Sequence, residues 1–161
     1  MARTSTHEMA GALVASAPAK PDSLCIIEDD ASVRKSIAQL LDSDQLKSRG
    51  FEDPEDFLVH ASKHPVSLAI LDVWMPKMNG LEVQARLRKV SPETKVIVIT
   101  ANGVPKMCGA ALKVGVIAFL EKPFDDELFL LLVRQALSSA SDDLEDPCFY
   151  LAGQRDATFR C

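Results

Sequence analysis

Short apolar runs alternate with longer segments in which apolar residues recur at helical spacing, and this alternation repeats five times along the chain. The short runs are typical of strands buried on both faces, whereas the spaced segments are typical of amphipathic helices. The predicted strands are 24–27, 46–51, 68–71, 96–99 and 117–120. The predicted helices are one that carries Val33, Ile37, Leu40 and Leu41, followed by 54–62, 80–90, 105–114 and 125–137.

Regular alternation of strand and helix predicts a parallel sheet covered by helices on both sides, because parallel strands are joined by right-handed crossover helices. The expected fold class is therefore α/β, a doubly wound (βα)5 domain with a central five-stranded parallel sheet in a three-layer sandwich. We expect this domain at 23–138. The segment 1–22, rich in Ala, Ser and Thr, is predicted to be a disordered extension, and 139–161 to be a C-terminal tail too short for a second core.

Composition narrows the possible classes of protein. The chain has 161 residues and a formal charge of −5, and no basic block stands out, so direct nucleic-acid binding is not expected. No apolar stretch is long enough to cross a bilayer, and we expect a cytoplasmic protein with no membrane partner. The four cysteines lack CxxC spacing and are interpreted as reduced, with a Cys148–Cys161 bridge as the alternative.

Polar side chains stand at the carboxyl ends of four predicted strands. Glu28 and Asp29 follow the first strand, Asp72 the third and Thr100 the fourth, while Lys122 comes just after the fifth. Open α/β sheets bind their ligands at this edge, so these side chains together predict a site. Each one alone has an ordinary explanation: an acidic residue can cap a helix, as Asp30 could, a threonine suits a strand, and a lysine before proline is usually at the surface.

The residue types at this edge suggest phosphoryl chemistry. Clustered carboxylates repel one another unless they take up protons or bind a hard cation, and oxygen ligands suit Mg²⁺. Asp72 beside such a cation could act as a nucleophile toward phosphorus, and the charge of Lys122 and the hydroxyl of Thr100 could bind phosphoryl oxygens. The Lys122–Pro123 bond also invites a cis peptide that would direct the lysine inward.

Four segments resemble the signature of two-component response-regulator receiver domains, which have a flavodoxin/CheY-like fold, and the similarity covers about 24–137. Val33-Arg34-Lys35-Ser36 makes the resemblance strongest to FixJ-like receivers. The four segments are Ile26-Ile27-Glu28-Asp29-Asp30, Asp72-x-x-Met75-Pro76-x-x-x-Gly80, Thr100-Ala101 and Phe119-Leu120-Glu121-Lys122-Pro123-Phe124.

The resemblance implies a role for each matching residue. Asp72 would be the phosphoacceptor, and Mg²⁺ would be held by Asp29 directly, by Glu28 through water, by Asp72 and by the backbone carbonyl of Trp74. Thr100 and Lys122 would hold the phosphoryl oxygens. Phe119 stands at the switch-aromatic position, where the alternative is an ordinary core aromatic. Trp74 and Asn102 stand where the family tunes the lifetime of the phosphate.

The resemblance also implies partners and a mode of action. Expected partners are a sensor histidine kinase or phosphotransfer protein, a downstream protein target and a second copy of the chain in a phosphorylation-dependent homodimer. We expect a phosphoacceptor switch rather than an enzyme, acting without an output domain. A truncated FixJ-like transcriptional regulator and a phosphate-sink receiver remain alternatives.

Two other classes of protein are less well supported. A phosphatase with an aspartyl-phosphate intermediate often carries a second acid two residues after its nucleophile, where this chain has Trp74. A flavodoxin-like cofactor binder requires a phosphate-binding loop after the first strand, where this chain has acids. The last predicted helix is apolar nearly all round, so part of it is either a partner surface or covered by tail residues 149–151.

Overall fold

The computed structural model describes residues 23–101 and 115–138, which form a five-stranded parallel sheet with helices on both faces. The strands are β1 (Leu24–Ile27), β2 (Arg49–Phe51), β3 (Leu68–Asp72), β4 (Lys95–Thr100) and β5 (Val116–Glu121). The helices in these ranges are α1 (Ala31–Ser43), α2 (Pro54–Lys63), α3 (Gly80–Val90) and α4 (Asp126–Ser138). The spatial order of the strands is β2-β1-β3-β4-β5, and all the pairings are parallel.

This architecture confirms the predicted doubly wound α/β fold, with one strand shorter than expected. The strand predicted over 46–51 begins only at Arg49. Gln45 has a positive φ of 61°, and the Leu46 N–H donates to the Leu41 carbonyl at 2.9 Å, so this stretch completes the turn after α1 instead of joining the sheet. The helix predicted over 105–114 and both tails lie outside the described residues.

Two apolar cores pack on opposite faces of the sheet, because successive residues of a strand point to opposite sides. One core lies beneath α2 and α3, and the other beneath α1 and α4. The first includes Cys25, Ile27, Phe57, Leu71, Val83, Leu87 and Phe119. The second includes Leu24, Ile26, Ile37, Leu41, Ile70, Ile99, Phe129 and Val133. With both faces covered, only the ends of the strands remain available for a polar site.

Short polar side chains cap the helices on the side of the sheet where β1 and β3 end. Asp30 accepts hydrogen bonds from the Ser32 N–H at 2.8 Å and the Val33 N–H at 3.2 Å, which begins α1 as the sequence suggested. Asn79 caps α3 in the same way through the Leu81 N–H. Asp30 is therefore committed to the helix, and its neighbours Glu28 and Asp29 are the acids of this loop that remain for a site.

The last helix, α4, packs one face on the sheet through Phe129, Leu132, Val133 and Ala136. Leu131 on its other side is 45% exposed. Residues 149–151, the predicted alternative cover for this surface, lie outside the described residues. Within the described ranges, none of the helices combines the length and apolar character needed to cross a membrane.

Candidate functional site

The loop after β1 holds two acids in a fixed position. Glu28 is buried, and its backbone N–H donates to the Phe51 carbonyl at 3.1 Å, which extends the pairing of β1 with β2. The Arg34 guanidinium donates to the Glu28 carbonyl at 2.6 Å and to the Asp29 carbonyl at 3.5 Å. Arg34 thus fastens the backbone of this loop to α1 and leaves both carboxylates available at the edge of the sheet.

Asp72 is the final residue of β3 and is only 4% exposed. The next residue, Val73, donates its N–H to the Ile99 carbonyl at 3.1 Å, so the end of β3 is held by β4. The chain then returns close beneath the strand, since a Cβ on Gly80 would lie 2.6 Å from the Asp72 carbonyl oxygen. This close approach requires glycine and fixes the backbone that carries the Asp72 carboxylate.

Three carboxylates meet at this edge of the sheet. Glu28, Asp29 and Asp72 each offer an oxygen, and these oxygens lie within 4.8 Å of one another. Asp72 Oδ1 is buried and accepts no hydrogen bond from the residues that the structure describes. A buried carboxylate oxygen without a donor is unfavourable, whereas a hard divalent cation satisfies such oxygens. The donor set therefore fits Mg²⁺.

Lys122 brings a positive charge to the same place from the far side of the sheet. Its Nζ lies 2.8 Å from Glu28 Oε2 and 3.7 Å from Asp72 Oδ1. The residue follows β5, its backbone N–H donates to the Thr100 carbonyl at 2.8 Å, and the Lys122–Pro123 peptide is cis, as the sequence suggested. The structure thus brings Glu28, Asp29, Asp72 and Lys122 together, although 94 positions separate Lys122 from Glu28.

Thr100 and Phe119 lie beside this cluster. Thr100 ends β4, is 1% exposed, and its Oγ1 accepts a hydrogen bond from Trp74 Nε1 at 3.2 Å. Phe119 is paired with Val98 in the sheet, and its side chain is buried in the core under α2 and α3. The switch aromatic expected from the resemblance is thus adjacent to the strand of Thr100, in a fully packed position.

Burial makes the two most enclosed carboxylates harder to ionise. Desolvation raises the pKa of Asp72 above its ordinary value, the Lys122 ammonium and the backbone N–H groups of Trp74 and Val73 oppose this rise, and the Asp29 charge adds to it. Desolvation also raises the pKa of Glu28, against the hydrogen bond from Lys122. The site is therefore electrostatically unfavourable without a cation in addition to Lys122.

Sequence reasoning missed two side-chain roles at this site. In the sequence Arg34 was noted only as part of the segment that resembles FixJ-like receivers, but in the structure it also holds the acidic loop. Its stem packs over Gly50, where a Cβ would lie 2.9 Å from Arg34 Cδ, and this glycine within β2 was the available signal. The hydrogen bond from Trp74 to Thr100 had no signal in the sequence, because it depends on the rotamer of an exposed ring.

Comparison with known proteins identifies the class of this fold and site. Residues 24–134 match the family model of the response regulator receiver domain. The chain belongs to this family. Receiver domains in general are phosphorylated on an aspartate by histidine kinases and bind Mg²⁺ at an acidic pocket, and they act as signalling modules of two-component systems.

Curated relatives are response regulators. The chain is 34% identical over 121 residues to the response regulator protein TmoT of Ectopseudomonas mendocina, an alignment that covers 75% of this chain and 55% of TmoT. It is 35% identical over 124 residues to the transcriptional regulatory protein FixJ of Azorhizobium caulinodans, with 76% and 59% covered. The chain thus spans about half the length of the curated relatives it matches.

Solved structures share the same fold. The response regulator StyR is 34% identical with a TM-score of 0.64, and the match covers 71% of this chain and 58% of StyR. The beryllofluoride-activated NtrC4 receiver domain dimer is 29% identical with a TM-score of 0.67, and 71% and 94% of the two chains are covered. These similarities confirm the FixJ-like resemblance and the function as a receiver domain of a two-component response regulator.

Proposed function

We propose that Asp72 is the phosphoacceptor of this receiver and takes its phosphoryl group from a histidine kinase or a phosphotransfer protein. The single observation that carries the proposal is the position of Asp72 Oδ1, buried between two other carboxylates and 3.7 Å from the Lys122 ammonium. An oxygen in this setting is ready to attack an electrophile that arrives with a cation. Glu28 is equally buried, but its Oε2 is paired with Lys122 and its Oε1 accepts a hydrogen bond from the Asp30 N–H, whereas Asp72 Oδ1 accepts none within the described residues.

The transfer forms one bond and breaks one. A carboxylate oxygen of Asp72 attacks the phosphorus of a phosphohistidine, the new O–P bond forms opposite the leaving nitrogen, and the N–P bond breaks with its electron pair passing to the imidazole. The Lys122 ammonium and the Thr100 hydroxyl donate to the phosphoryl oxygens, where negative charge accumulates. Hydrolysis of the aspartyl phosphate returns the free carboxylate and inorganic phosphate.

Mg²⁺ would be held by Asp29 directly, by Glu28 through water, by Asp72 and by the backbone carbonyl of Trp74. When bound, the cation supplies charge neutralisation for the phosphoryl oxygens. Support for this ligand set comes from the three carboxylate oxygens within 4.8 Å and from the raised pKa values of Asp72 and Glu28, which a cation would lower. Lys122 would then turn from Glu28 to the phosphoryl group.

Signal output would pass through Thr100 and Phe119. The two residues lie on neighbouring strands, so movement of Thr100 toward a phosphoryl oxygen would open space for the Phe119 ring to move. Such a change alters the surface that a downstream protein contacts. The receiver would therefore act through phosphorylation-dependent protein contacts, without direct binding of nucleic acid. We place this action in the cytoplasm.

Acetyl phosphate and Mg²⁺ provide the direct test, with intact mass as the measurement. We expect a mass gain of one phosphoryl group that a chelator abolishes and that Asp72→Asn lacks. Asp30→Asn is the matched control, because asparagine caps a helix as well as aspartate and Asp30 is not one of the three acids of the cluster. Equal mass gain in Asp72→Asn, or none in the wild type, would refute the assignment.

Phosphorylation-dependent homodimerisation is the proposed route to an effector surface. The beryllofluoride-activated NtrC4 receiver is a dimer, and the exposed Leu131 of α4 gives this chain apolar surface beside the sheet. Sedimentation of the free and beryllofluoride-bound protein over a wide concentration range tests it. Identical sedimentation of the two forms would leave the phosphate-sink alternative, in which the receiver only drains phosphoryl groups from a kinase.

A further inference from the structure

Trp74 is the only tryptophan of the chain, and its position is unusual for such a large apolar residue. The residue is 54% exposed, yet its indole N–H points inward and donates to Thr100 Oγ1 at 3.2 Å. Thr100 itself is almost fully buried. The ring thus reaches from the loop after β3 to the end of β4, where a hydrogen bond to a buried hydroxyl holds it.

Trp74 is also bound to the phosphoacceptor through its backbone. Its backbone N–H is hydrogen-bonded to the Asp72 carboxylate, and its side chain is hydrogen-bonded to Thr100. One residue therefore contacts both the group that would accept the phosphoryl and the group that would respond to it. Trp74 therefore links the end of β3 to the end of β4.

We propose that Trp74 is a positioning residue that latches the Thr100 hydroxyl in the unphosphorylated protein. The inference rests on the function proposed above. A charged phosphoryl oxygen accepts a strong hydrogen bond from the Thr100 hydroxyl, and the rotation of Oγ1 that forms this bond moves the oxygen away from the indole N–H that donates to it. On phosphorylation Thr100 Oγ1 turns toward the phosphoryl group, the N–H···O bond to Trp74 breaks, and the ring is released to solvent. The latch thus holds the resting conformation until a phosphoryl group is present.

The indole N–H gives a direct test of the resting contact, because one tryptophan produces one indole signal in a ¹H–¹⁵N NMR spectrum. We expect slow hydrogen exchange of this proton in the free wild-type protein. Thr100→Val removes the acceptor and keeps the side-chain shape, so exchange should accelerate roughly fivefold or more without any phosphodonor. Unchanged exchange in Thr100→Val would overturn the latch, since no phosphorylation is involved in this comparison.

Beryllofluoride with Mg²⁺, a mimic of the phosphoryl group, tests the release. In the wild type the indole signal should shift and its exchange should accelerate as beryllofluoride binds. Trp74→Phe keeps an aromatic ring without the N–H, so the half-saturating beryllofluoride concentration should fall roughly fivefold, the factor expected from one hydrogen bond. Val59→Ala, at an exposed apolar site on α2, serves as the control and should leave the half-saturating beryllofluoride concentration unchanged.

The outcomes separate this inference from the function on which it rests. Failure of the wild type to bind beryllofluoride would overturn the proposed function and the latch with it. Binding by the wild type with an unchanged indole signal, or with equal half-saturation in Trp74→Phe, would overturn the latch alone. Tighter binding by Trp74→Phe together with accelerated indole exchange in Thr100→Val would establish both halves of the proposal.

Discussion

Asp72 and Glu28 are buried carboxylates whose pKa values are raised chiefly by desolvation. A folded protein that raises the pKa of an acid holds its proton more tightly than the unfolded chain does. The free energy of unfolding therefore falls as the pH rises through the raised pKa, and the full stability is present only below the unfolded value of 3.8 for Asp72. Ionisation of these two residues therefore lowers the stability of the folded protein at neutral pH.

Asp72→Asn should therefore stabilise the protein in buffer that contains a chelator. The variant removes a buried charge whose pKa is raised by desolvation, and its free energy of unfolding should exceed that of the wild type at neutral pH. The difference should vanish toward pH 3 and grow as the pH rises. Urea unfolding across this range measures it. The exposed Glu93→Gln is the charge-matched control, and a pH-independent difference would contradict the explanation.

Lys122 offsets part of this cost through its 2.8 Å contact with Glu28. Lys122→Met should lower the free energy of unfolding by roughly 2 kcal/mol at neutral pH, less than for a fully buried pair because the lysine side chain is 23% exposed. The loss should shrink at acidic pH, where Glu28 takes up a proton. Glu28→Gln in the same chain should restore most of the stability, and additive losses in that double variant would refute the pairing.

At the level of elements, the start of α3 is packed directly under the end of β3. A Cβ on Gly80 would meet the Asp72 carbonyl oxygen at 2.6 Å and Val73 Cα at 2.9 Å, both backbone atoms that cannot yield easily. The strand that ends at Asp72 and the helix that follows it therefore share one close contact. Any residue larger than glycine must push them apart.

Gly80→Ala should lower the free energy of unfolding by about 1–3 kcal/mol, although alanine is the better helix former. Thermal unfolding followed by circular dichroism measures this loss. Glu82 is an exposed residue in the same first turn of α3, and Glu82→Ala should alter the free energy of unfolding by less than about 0.5 kcal/mol. Equal effects of the two substitutions would show that the close approach at Gly80 is unimportant.

Most elements of the fold were predictable because the apolar pattern and the turn residues agree. β1 begins and ends where its apolar run does, and α3 begins at Gly80 and ends before Ser91 as expected. The predicted start of β2 at residue 46 was wrong, because the Leu46 N–H donates to the Leu41 carbonyl across a left-handed turn at Gln45. The pattern of apolar residues does not reveal this turn.

The candidate site was predictable as a group of residues and unpredictable in its contacts. Parallel strands bring their carboxyl ends to one edge, so Glu28, Asp29, Asp72 and Lys122 meet as the sequence suggested. Periodicity carries no information on rotamers. It could not indicate that Lys122 bonds Glu28 more closely than Asp72, or that the Trp74 ring reaches Thr100.

For the whole molecule, the proposed cation site predicts that cation binding and stability are linked through the acidic cluster. Mg²⁺ that binds only the folded protein should raise the free energy of unfolding by about 1.4 kcal/mol at ten times its dissociation constant. Thermal unfolding with and without Mg²⁺ at equal ionic strength measures this effect. Asp29→Asn should strongly reduce the stabilisation by Mg²⁺, whereas Asp42→Asn, at an exposed residue of α1, should leave this stabilisation unchanged. Stabilisation of both variants to the same extent would exclude the cluster as the binding site.

The distance in sequence between Glu28 and Lys122 has a consequence for the protein during its synthesis. A ribosome delivers the acids of β1 and β3 first, and the ammonium group that balances them arrives only with β5. A nascent chain that ends before β5 holds three carboxylates without this counter-charge. In the proposed function, competence to accept a phosphoryl group would therefore require that β5 and Lys122 have been synthesised.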